Sequence, residues 1–407
     1  MYIFKAAVVG AGTMGGEIAQ VITYSGLPVV MKDVDQAMLD KGMEKIRSIY
    51  QRRVDKGKMS EGEMQSKLDL VTPTLTYDEF SDVDIVIEAV PEKIEIKQAV
   101  LKELEEVCPE QTIFGSNTSA LSISQMGAAT KRPHKMIGVH FFNPAHIMKL
   151  VEIIPGLDTD QETLDDVVMF CEGLRKIPVV VQECPGFLVN RLLMPYLNEA
   201  TKALEEGAGT ATEIDQAVTA WGMPMGPFTL MDMLGIDVCG HVGEYLYSEY
   251  GERMAPAPLF LKLLEANRLG EKSGAGFYDY PGGESATVNE MIKALQKAGD
   301  VPKGTAFSVE RLMFPLINEA ALCVQENIAS INDIDMSMVA GTGMTYGGER
   351  MGPLAVADKI GLDVVAEKLQ ALAEELGPRF RPARPLTLRA RAGHLGEKTG
   401  KGFHEHA

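Results

Sequence analysis

The feature that most constrains this chain lies at its start, in IFKAAVVGAGTMGGEIAQVITYSGLPVVMKDVD. Residues 6–9 are a short run of small and β-branched apolar side chains, which reads as a buried strand. Gly10, Gly12 and Gly15 follow at once in G-x-G-x-x-G spacing, and a helical pattern at Ile18, Ala19 and Ile22 comes next. A second apolar run, residues 29–31, leads to Asp33. Such glycines alone say little. Between a strand and a helix, with an acid about 20 residues on, each has a task. Gly10 makes the tight turn, Gly12 lets backbone N–H groups approach a pyrophosphate, and Gly15 lets the helix pack against the strand. The helix opens through Thr13 and Met14, and its N-terminus adds a partial positive charge. Asp33 stands where a carboxylate accepts hydrogen bonds from the adenosine ribose and repels a 2′-phosphate, which selects NAD over NADP.

At 407 residues, 45% hydrophobic and 24% charged, the chain has the composition of a soluble globular protein with two or three domains. A net charge of −18 argues against nucleic acid or an anionic membrane as the main partner. No apolar run is long enough to span a bilayer, and the first strand leaves no room for a targeting peptide after Met1. Five scattered cysteines without a C-x-x-C pair suit a reducing, cytoplasmic setting and offer neither a metal site nor a disulfide framework.

Further along, DVDIVIEAV, TIFG, KMIGVHFF, KLVEII and IPVVV read as strands, and DKGMEKIRSIYQRRVDKGKM and IKQAVLKELEEV as helices. Strands separated by helices predict a parallel sheet covered on both faces, with ligands outside the strand C-termini. Past Glu183-Cys184-Pro185-Gly186 the pattern turns to long helices without clear strands. There FLVNRLLMPYLNEA (187–200) matches FSVERLMFPLINEA (307–320), LGID (234–237) matches IGLD (360–363), and LGEKSGAGF (269–277) matches LGEKTGKGF (395–403). So many landmarks in one order mark a duplicated domain. The predicted fold is an α/β Rossmann-type dinucleotide-binding domain over 1–183, followed by two all-α repeat domains at 184–281 and 305–407. A connector at 282–304 joins them. Asn190 in the first copy aligns with Glu310 in the second, so the second reads as a structural partner.

Between the strands lie SNTSA and IGVHFFNPAHIMKLVEII. His140 ends one apolar run and Glu152 sits inside another. A lone carboxylate in an apolar strand is costly without a partner. An imidazole oriented by that carboxylate makes a general base. A core histidine with a carboxylate capping backbone donors would leave the same pattern.

With GAGTMG, VIEAVPE, SNTSALSI, HFFNP…MKLVEI, PGFLVNRLL, MGPFTLMDMLGID and EKSGAGFYDY in order, the chain resembles the L-3-hydroxyacyl-CoA dehydrogenase family over essentially its whole length. The likeness is to the dehydrogenase portion of multifunctional fatty-acid oxidation proteins, without the hydratase domain. The resemblance implies NAD-dependent, reversible oxidation of (S)-3-hydroxyacyl-CoA to 3-oxoacyl-CoA, in β-oxidation or 3-hydroxybutyryl-CoA metabolism. It makes His140 the base for the 3-hydroxyl proton, Glu152 its orienting acid, and Ser119 and Asn190 hydrogen-bonding groups near the reacting oxygen. Imidazole suits such a base because it titrates near neutrality. It also places Ser119, Glu92, Lys97 and Asn143 near the nicotinamide half of NAD, with Lys272 reaching the cofactor from the helical part; read from pattern alone, Glu92 and Lys97 would equally be surface residues opening a helix, and Lys272 a surface lysine.

An anionic substrate is awkward at −18, but residues 41–58 hold seven Lys or Arg against Glu44 and Asp55. Lys45, Arg52 and Lys56 are the candidates for contacts to coenzyme A phosphates; a solvated helical face is the competing reading. A second run, Arg379 to Arg391, has five arginines and no acid, a pattern suited to interdomain or partner docking. Family relatives imply either a homodimer or a pseudo-dimeric monomer, and association with an enoyl-CoA hydratase and a thiolase. Three other readings compete: a β-hydroxyacid oxidoreductase with a lysine base, against which the SNTS, HFFNP and buried-Glu order argues; a non-catalytic NAD-binding relative, against which intact Ser119, His140, Glu152 and Asn190 argue; and a docking module of a β-oxidation complex, which is compatible with enzymatic function.

Overall fold

Most of the eight short strands of N-terminal sequence are apolar on both faces, and in the computed structural model the eight form one sheet. The structure describes residues 2–302, 304 and 307–406. Residues 305–306 of the expected second repeat, residue 303 of the connector and the two terminal residues lie outside those. The chain divides into two units, Met1–Phe187 and Leu188–Ala407.

In the first unit the strands are β1 (Ala6–Val9), β2 (Val29–Lys32), β3 (Val71–Thr74), β4 (Ile85–Glu88), β5 (Ile113–Ser116), β6 (Met136–Phe141), β7 (Leu150–Pro155) and β8 (Ile177–Val180). Their order is β3-β2-β1-β4-β5-β6-β7-β8. The direction of winding reverses between β1 and β4, the switch point at which doubly wound sheets bind nucleotides. The helices are α1 (Thr13–Ser25), α2 (Gln36–Asp55), α3 (Glu61–Leu68), α4 (Ile94–Val107), α5 (Ile123–Gly127) and α6 (Gln161–Gly173). Ile18 and Ile22 of α1, Ile46 and Tyr50 of α2 and Val167 of α6 share a core with Val8, Met31, Ile87 and Val139 of the sheet. Each buried aliphatic side chain contributes about 1.5–3 kcal/mol. On the other face Ala7, Val30, Val86 and Phe114 are buried as well, hence the near-continuous apolar runs.

The sheet departs from the all-parallel expectation at one edge. β7 runs antiparallel to β6 and β8 parallel to β7. Only a short loop separates β6 from β7, too little chain for the crossover that parallel neighbours need. β3 (VTPT) is an additional strand that sequence reading passed over; it is an edge strand, where Pro73 is tolerated.

The second unit holds α7 (Val189–Glu205), α8 (Ala211–Trp221), α9 (Pro227–Leu234), α10 (Ile236–Tyr250) and α11 (Pro258–Glu265). After α12 (Ala286–Ala298) the series recurs as α13 (Glu310–Gln325), α14 (Ile331–Thr342), α15 (Pro353–Ile360), α16 (Leu362–Leu376) and α17 (Arg384–Arg391). The duplication extends to individual hydrogen bonds. Asp215 accepts from Phe228 N–H and Thr229 N–H, as Asp335 does from Leu354 N–H and Ala355 N–H. Asn198 bridges Ala255 and Ala257, as Asn318 bridges Arg381 and Ala383. One difference from the all-helical expectation is a two-stranded hairpin, β9 (Thr345–Tyr346) with β10 (Glu349–Arg350). It turns through Gly347-Gly348, both at positive φ, as a two-residue hairpin loop requires.

The copies meet through α7 and α13. Arg191 Nε lies 2.8 Å from Glu319 Oε1, and the equivalent Arg311 Nε lies 2.7 Å from Glu199 Oε1. Each guanidinium is buried and paired with the other repeat's acid, the reciprocal pattern of a two-fold interface. Arg379, in the second arginine run, also pairs with Glu199 at 2.8 Å, so that run serves in part to join the repeats.

Candidate active site

The glycine loop follows β1. Gly10 has φ 99°, and a Cβ there would lie 2.6 Å from the Ala89 carbonyl oxygen. A Cβ on Gly15 would lie 1.7 Å from the Gly10 carbonyl oxygen, so both glycines are fixed by the protein's own packing. Gly12 is different: its nearest neighbour would be Met38 Cε at 3.8 Å, an ordinary contact. No protein atom explains that glycine. A ligand backbone or phosphate approaching the loop does. Gly12 is also the N-cap of α1, which no side chain caps, and its first N–H groups therefore suit an anion. Asp33, just past β2, accepts from Ala11 N–H and Val34 N–H at 2.7 Å each. It stands beside the loop, as the reading of a ribose-binding acid requires, and these residues fit a dinucleotide.

Across the switch point Glu88 ends β4 fully buried. It accepts from Lys97 Nζ at 2.9 Å, Ser116 Oγ at 2.6 Å and Val90 N–H at 2.7 Å. Lys97 also pairs with Glu92 at 3.1 Å. Glu92 accepts from Ser119 N–H at 2.9 Å and from Thr118 Oγ1 at 2.5 Å. Lys97 is 1% exposed, an internal strut rather than a residue on the helix surface. Its ammonium carries the charge balance of the Glu88–Glu92 pair and thereby sets the SNTS loop after β5, on which Ser119 sits. The structure thus joins Glu92, Lys97 and Ser119 in one network. Glu88, Ser116 and Thr118 are members that sequence reading missed. The signal at Glu88 was that of Glu152, a lone acid closing an apolar strand.

His140 and Glu152 face each other directly in the β6–β7 register. His140 Nδ1 lies 2.8 Å from Glu152 Oε2, with His140 5% and Glu152 0% exposed. A carboxylate so placed accepts a hydrogen bond from Nδ1–H, holding the proton on that nitrogen and leaving Nε2 as the basic one. The rings of Phe142 and Phe187 lie 4.6 and 5.8 Å from the imidazole, which keeps the pair in an apolar wall where charge–dipole interactions are strong. Asn143 follows β6 and is exposed. Gly10, Asp33, Glu92, Ser119, His140 and Asn143 all sit at the carboxyl ends of β1, β2, β4, β5 and β6, on one edge of the sheet.

In α2 the basic residues form the outer face of an amphipathic helix. Lys45 pairs with the buried Glu17 at 2.9 Å, while Arg52 and Lys56 are exposed. Arg53 instead donates to Tyr24 Oη at 2.7 Å. In the second unit Asn190 is the second residue of α7. Lys272 Nζ lies 2.5 Å from Asp237 Oδ1, and the second repeat holds the same pair, Lys398 with Asp363 at 2.6 Å. Lys272 therefore has a structural partner that recurs where no dinucleotide domain precedes the repeat.

The model of the 3-hydroxyacyl-CoA dehydrogenase NAD-binding domain matches residues 5–184, and that of the C-terminal domain matches twice, at 186–280 and 307–406. The chain belongs to the 3-hydroxyacyl-CoA dehydrogenase family. Its first unit is the NAD-binding domain of that family. The fatty acid oxidation complex subunit alpha of Psychrobacter sp. (strain PRwf-1) is 38% identical over 372 residues, 89% of this chain and 51% of that protein. The chain thus spans about half the length of the curated relatives it matches. Among solved structures, 3-hydroxybutyryl-CoA dehydrogenase from Escherichia coli K12 is 29% identical, with a TM-score of 0.87 over 96% of this chain and 99% of that one. (S)-3-hydroxybutyryl-CoA dehydrogenase from Ralstonia eutropha is 40% identical, with a TM-score of 0.67 over 68% of this chain and 99% of that one. Among the described residues no helix is long and apolar enough to cross a membrane.

Proposed function

We propose that this chain catalyses the NAD-dependent, reversible oxidation of (S)-3-hydroxyacyl-CoA to 3-oxoacyl-CoA. The observation that carries the reading is the His140–Glu152 pair, opposed in register at the ligand-binding edge of a sheet whose glycine loop fits a dinucleotide. His140 Nε2 takes the proton of the 3-hydroxyl as the C3–H bond breaks. Glu152 holds the imidazole in the required tautomer and stabilises the imidazolium that forms. Ser119 and Asn190 donate to the oxygen as it becomes a carbonyl, and on reversal to the developing alkoxide. NAD, when bound, supplies the hydride acceptor. Family membership and the 3-hydroxybutyryl-CoA dehydrogenase relatives support this assignment.

In the same reading, Asn143 and the Glu92–Lys97 network flank the nicotinamide half, with Lys272 also reaching the cofactor, and Lys45, Arg52 and Lys56 attract the coenzyme A phosphates. The reciprocal Arg–Glu pairs support a chain that is a dimer of helical domains within itself. The domain limits 1–183, 184–281, 282–304 and 305–407 follow from the repeat. A place in β-oxidation beside an enoyl-CoA hydratase and a thiolase rests on the relatives named as oxidation-complex subunits. Five buried cysteines are in keeping with a cytoplasmic location.

The test is NADH-dependent reduction of acetoacetyl-CoA by wild type and His140→Ala. General acid–base catalysis contributes about 10²–10⁴-fold, so the variant should fall by at least two orders of magnitude while still binding NADH. A loss below tenfold would remove His140 from the role of base.

A further inference from the structure

The first helical repeat contains a cavity of about 500 Å³. Its walls include Met194 and Leu197 of α7, Met254, and Phe260 and Leu264 of α11. The fourth side is α10, which lines the space with side chains such as Cys239, His241, Leu246 and Tyr247 and, between them, with Gly240 and Gly243 at i and i+3. Glycine within a helix is unfavourable, and neither residue has the positive φ that would demand it. A Cβ on Gly243 would meet Met194 Cε at 3.3 Å, and one on Gly240 would meet Leu264 Cδ1 at 3.0 Å. What the two glycines provide is the void.

The second repeat is an internal control, because its helices superpose in sequence residue by residue. Gly243 corresponds to Leu369, Gly240 to Ala366 and Met194 to Phe314. Leu369 is fully buried and Phe314 nearly so. The copy without Asn190 thus carries buried leucine and phenylalanine side chains where the first copy has Gly243 and Met194.

The cavity also has a direction. Asn190, Met194, Leu197 and Thr201 lie on one stripe of α7, at i, i+4, i+7 and i+11. Met194 and Thr201 therefore stand about 6 and 16 Å along the helix from Asn190. With C–C bonds of about 1.5 Å, an extended alkyl chain advances about 1.25 Å per carbon. A tail anchored near Asn190 reaches the level of Met194 after about five carbons and that of Thr201 after about thirteen.

Resting on the acyl-CoA reading above, we propose that this cavity, opened by Gly240 and Gly243, receives the acyl tail and makes the chain selective for medium-length over four-carbon 3-hydroxyacyl-CoA. Wild type should show a higher kcat/KM for 3-hydroxydecanoyl-CoA than for 3-hydroxybutyryl-CoA. Gly243→Leu, which copies Leu369, should lower the decanoyl value about 10–100-fold, since each buried methylene counts about fourfold, and leave the butyryl value within about threefold. Gly243→Ala guards against a leucine variant that does not fold: it should raise the melting temperature and still lower decanoyl turnover. The exposed neighbour Val238, changed to Leu, should alter neither. Equal losses on both substrates in Gly243→Leu, or no chain-length preference in wild type, would overturn the proposal. Calorimetry with decanoyl-CoA and acetyl-CoA separates the two readings. If wild type turns over neither substrate yet binds decanoyl-CoA more tightly, and Gly243→Leu abolishes the difference, the dehydrogenase reading falls and the acyl cavity stands. If both thioesters bind alike, the cavity serves something other than an acyl chain.

Discussion

Replacing Glu152 by Gln tests the central pair with almost no change of shape. Glu152 is fully buried with its Oε2 2.8 Å from His140 Nδ1. The substitution exchanges a charged acceptor for a neutral amide. A hydrogen bond to a charged group contributes about 1.5–3 kcal/mol, against about 0.5–1.5 for a neutral one. The difference acts mainly after proton transfer, when the imidazole is positive. At about 1.4 kcal/mol per tenfold, the lost stabilisation is worth about one order of magnitude. The amide can also donate to Nδ1, which selects the tautomer with its proton on Nε2 and removes the basic nitrogen, a larger loss. Together they place the fall in kcat at about 10²-fold, with the KM for acetoacetyl-CoA and the binding of NADH little changed. Thermal unfolding should show a protein at least as stable, because an amide costs less to bury than a carboxylate. Glu152→Asp keeps the charge but withdraws it by one methylene, and should recover part of the activity. A Gln variant within threefold of wild type would refute the argument, since the carboxylate would then be structural.

Two further outcomes follow from the geometry. Gly12→Ala should leave stability unchanged, because its Cβ meets nothing nearer than 3.8 Å, yet weaken NADH binding by about tenfold or more; Gly15→Ala should destabilise the fold itself, its Cβ lying 1.7 Å from a carbonyl oxygen. If both variants merely bound NADH less well, or if Gly12→Ala unfolded, the assignment of the loop would be wrong. Burial pushes the Glu205 carboxyl up to about 7 from an ordinary 4.5. Over that interval the folded chain holds a proton that the unfolded chain releases, so stability should decline from about pH 4.5 to 7 by about 3 kcal/mol and level off above. Denaturant unfolding should show Glu205→Gln flattening this descent; a variant with the slope of wild type would rule Glu205 out as its source.

Much of the site was legible because buried charge is rare in apolar strands. Glu152 stood out in KLVEII, and His140 pairs with it because both occupy the same register position on adjacent strands. Glu88 in DIVIEAV carried an identical signal and was passed over, although it anchors Lys97 and Ser116. Lys97 illustrates a limit of pattern reading. Its neighbours in IEIKQAVLKELEEV mark a solvent-facing helix, but one residue of such a face can turn inward when a buried acid lies within reach. The antiparallel turn at β7 was implicit in the short 142–149 loop, since a parallel neighbour needs a long crossover. The cavity could not be found from one repeat alone. Two mid-helix glycines look like weak helix; only their alignment with Ala366 and Leu369, together with the walls around them, gives them a purpose.

That alignment also bears on why the second repeat persists without Asn190 and without a dinucleotide domain of its own. The residues the copies share are those that bind them together or brace them: Arg191 and Arg311, Glu199 and Glu319, Asn198 and Asn318, Asp215 and Asp335. Those that differ, Asn190 against Glu310, Met194 against Phe314 and Gly243 against Leu369, lie on the proposed substrate stripe of α7 or on the α10 wall of the proposed cavity. A buried guanidinium deprived of its carboxylate costs about 3–5 kcal/mol, a large part of a domain's net stability. The second repeat therefore supplies Glu319 to Arg191 of the first, and must itself fold well to do so. Filling its core with Leu369 and Phe314 stabilises it. Leaving the matching space open in the first repeat has the opposite effect, and is tolerable because the reciprocal pairs anchor that repeat to a twin with larger side chains at those positions.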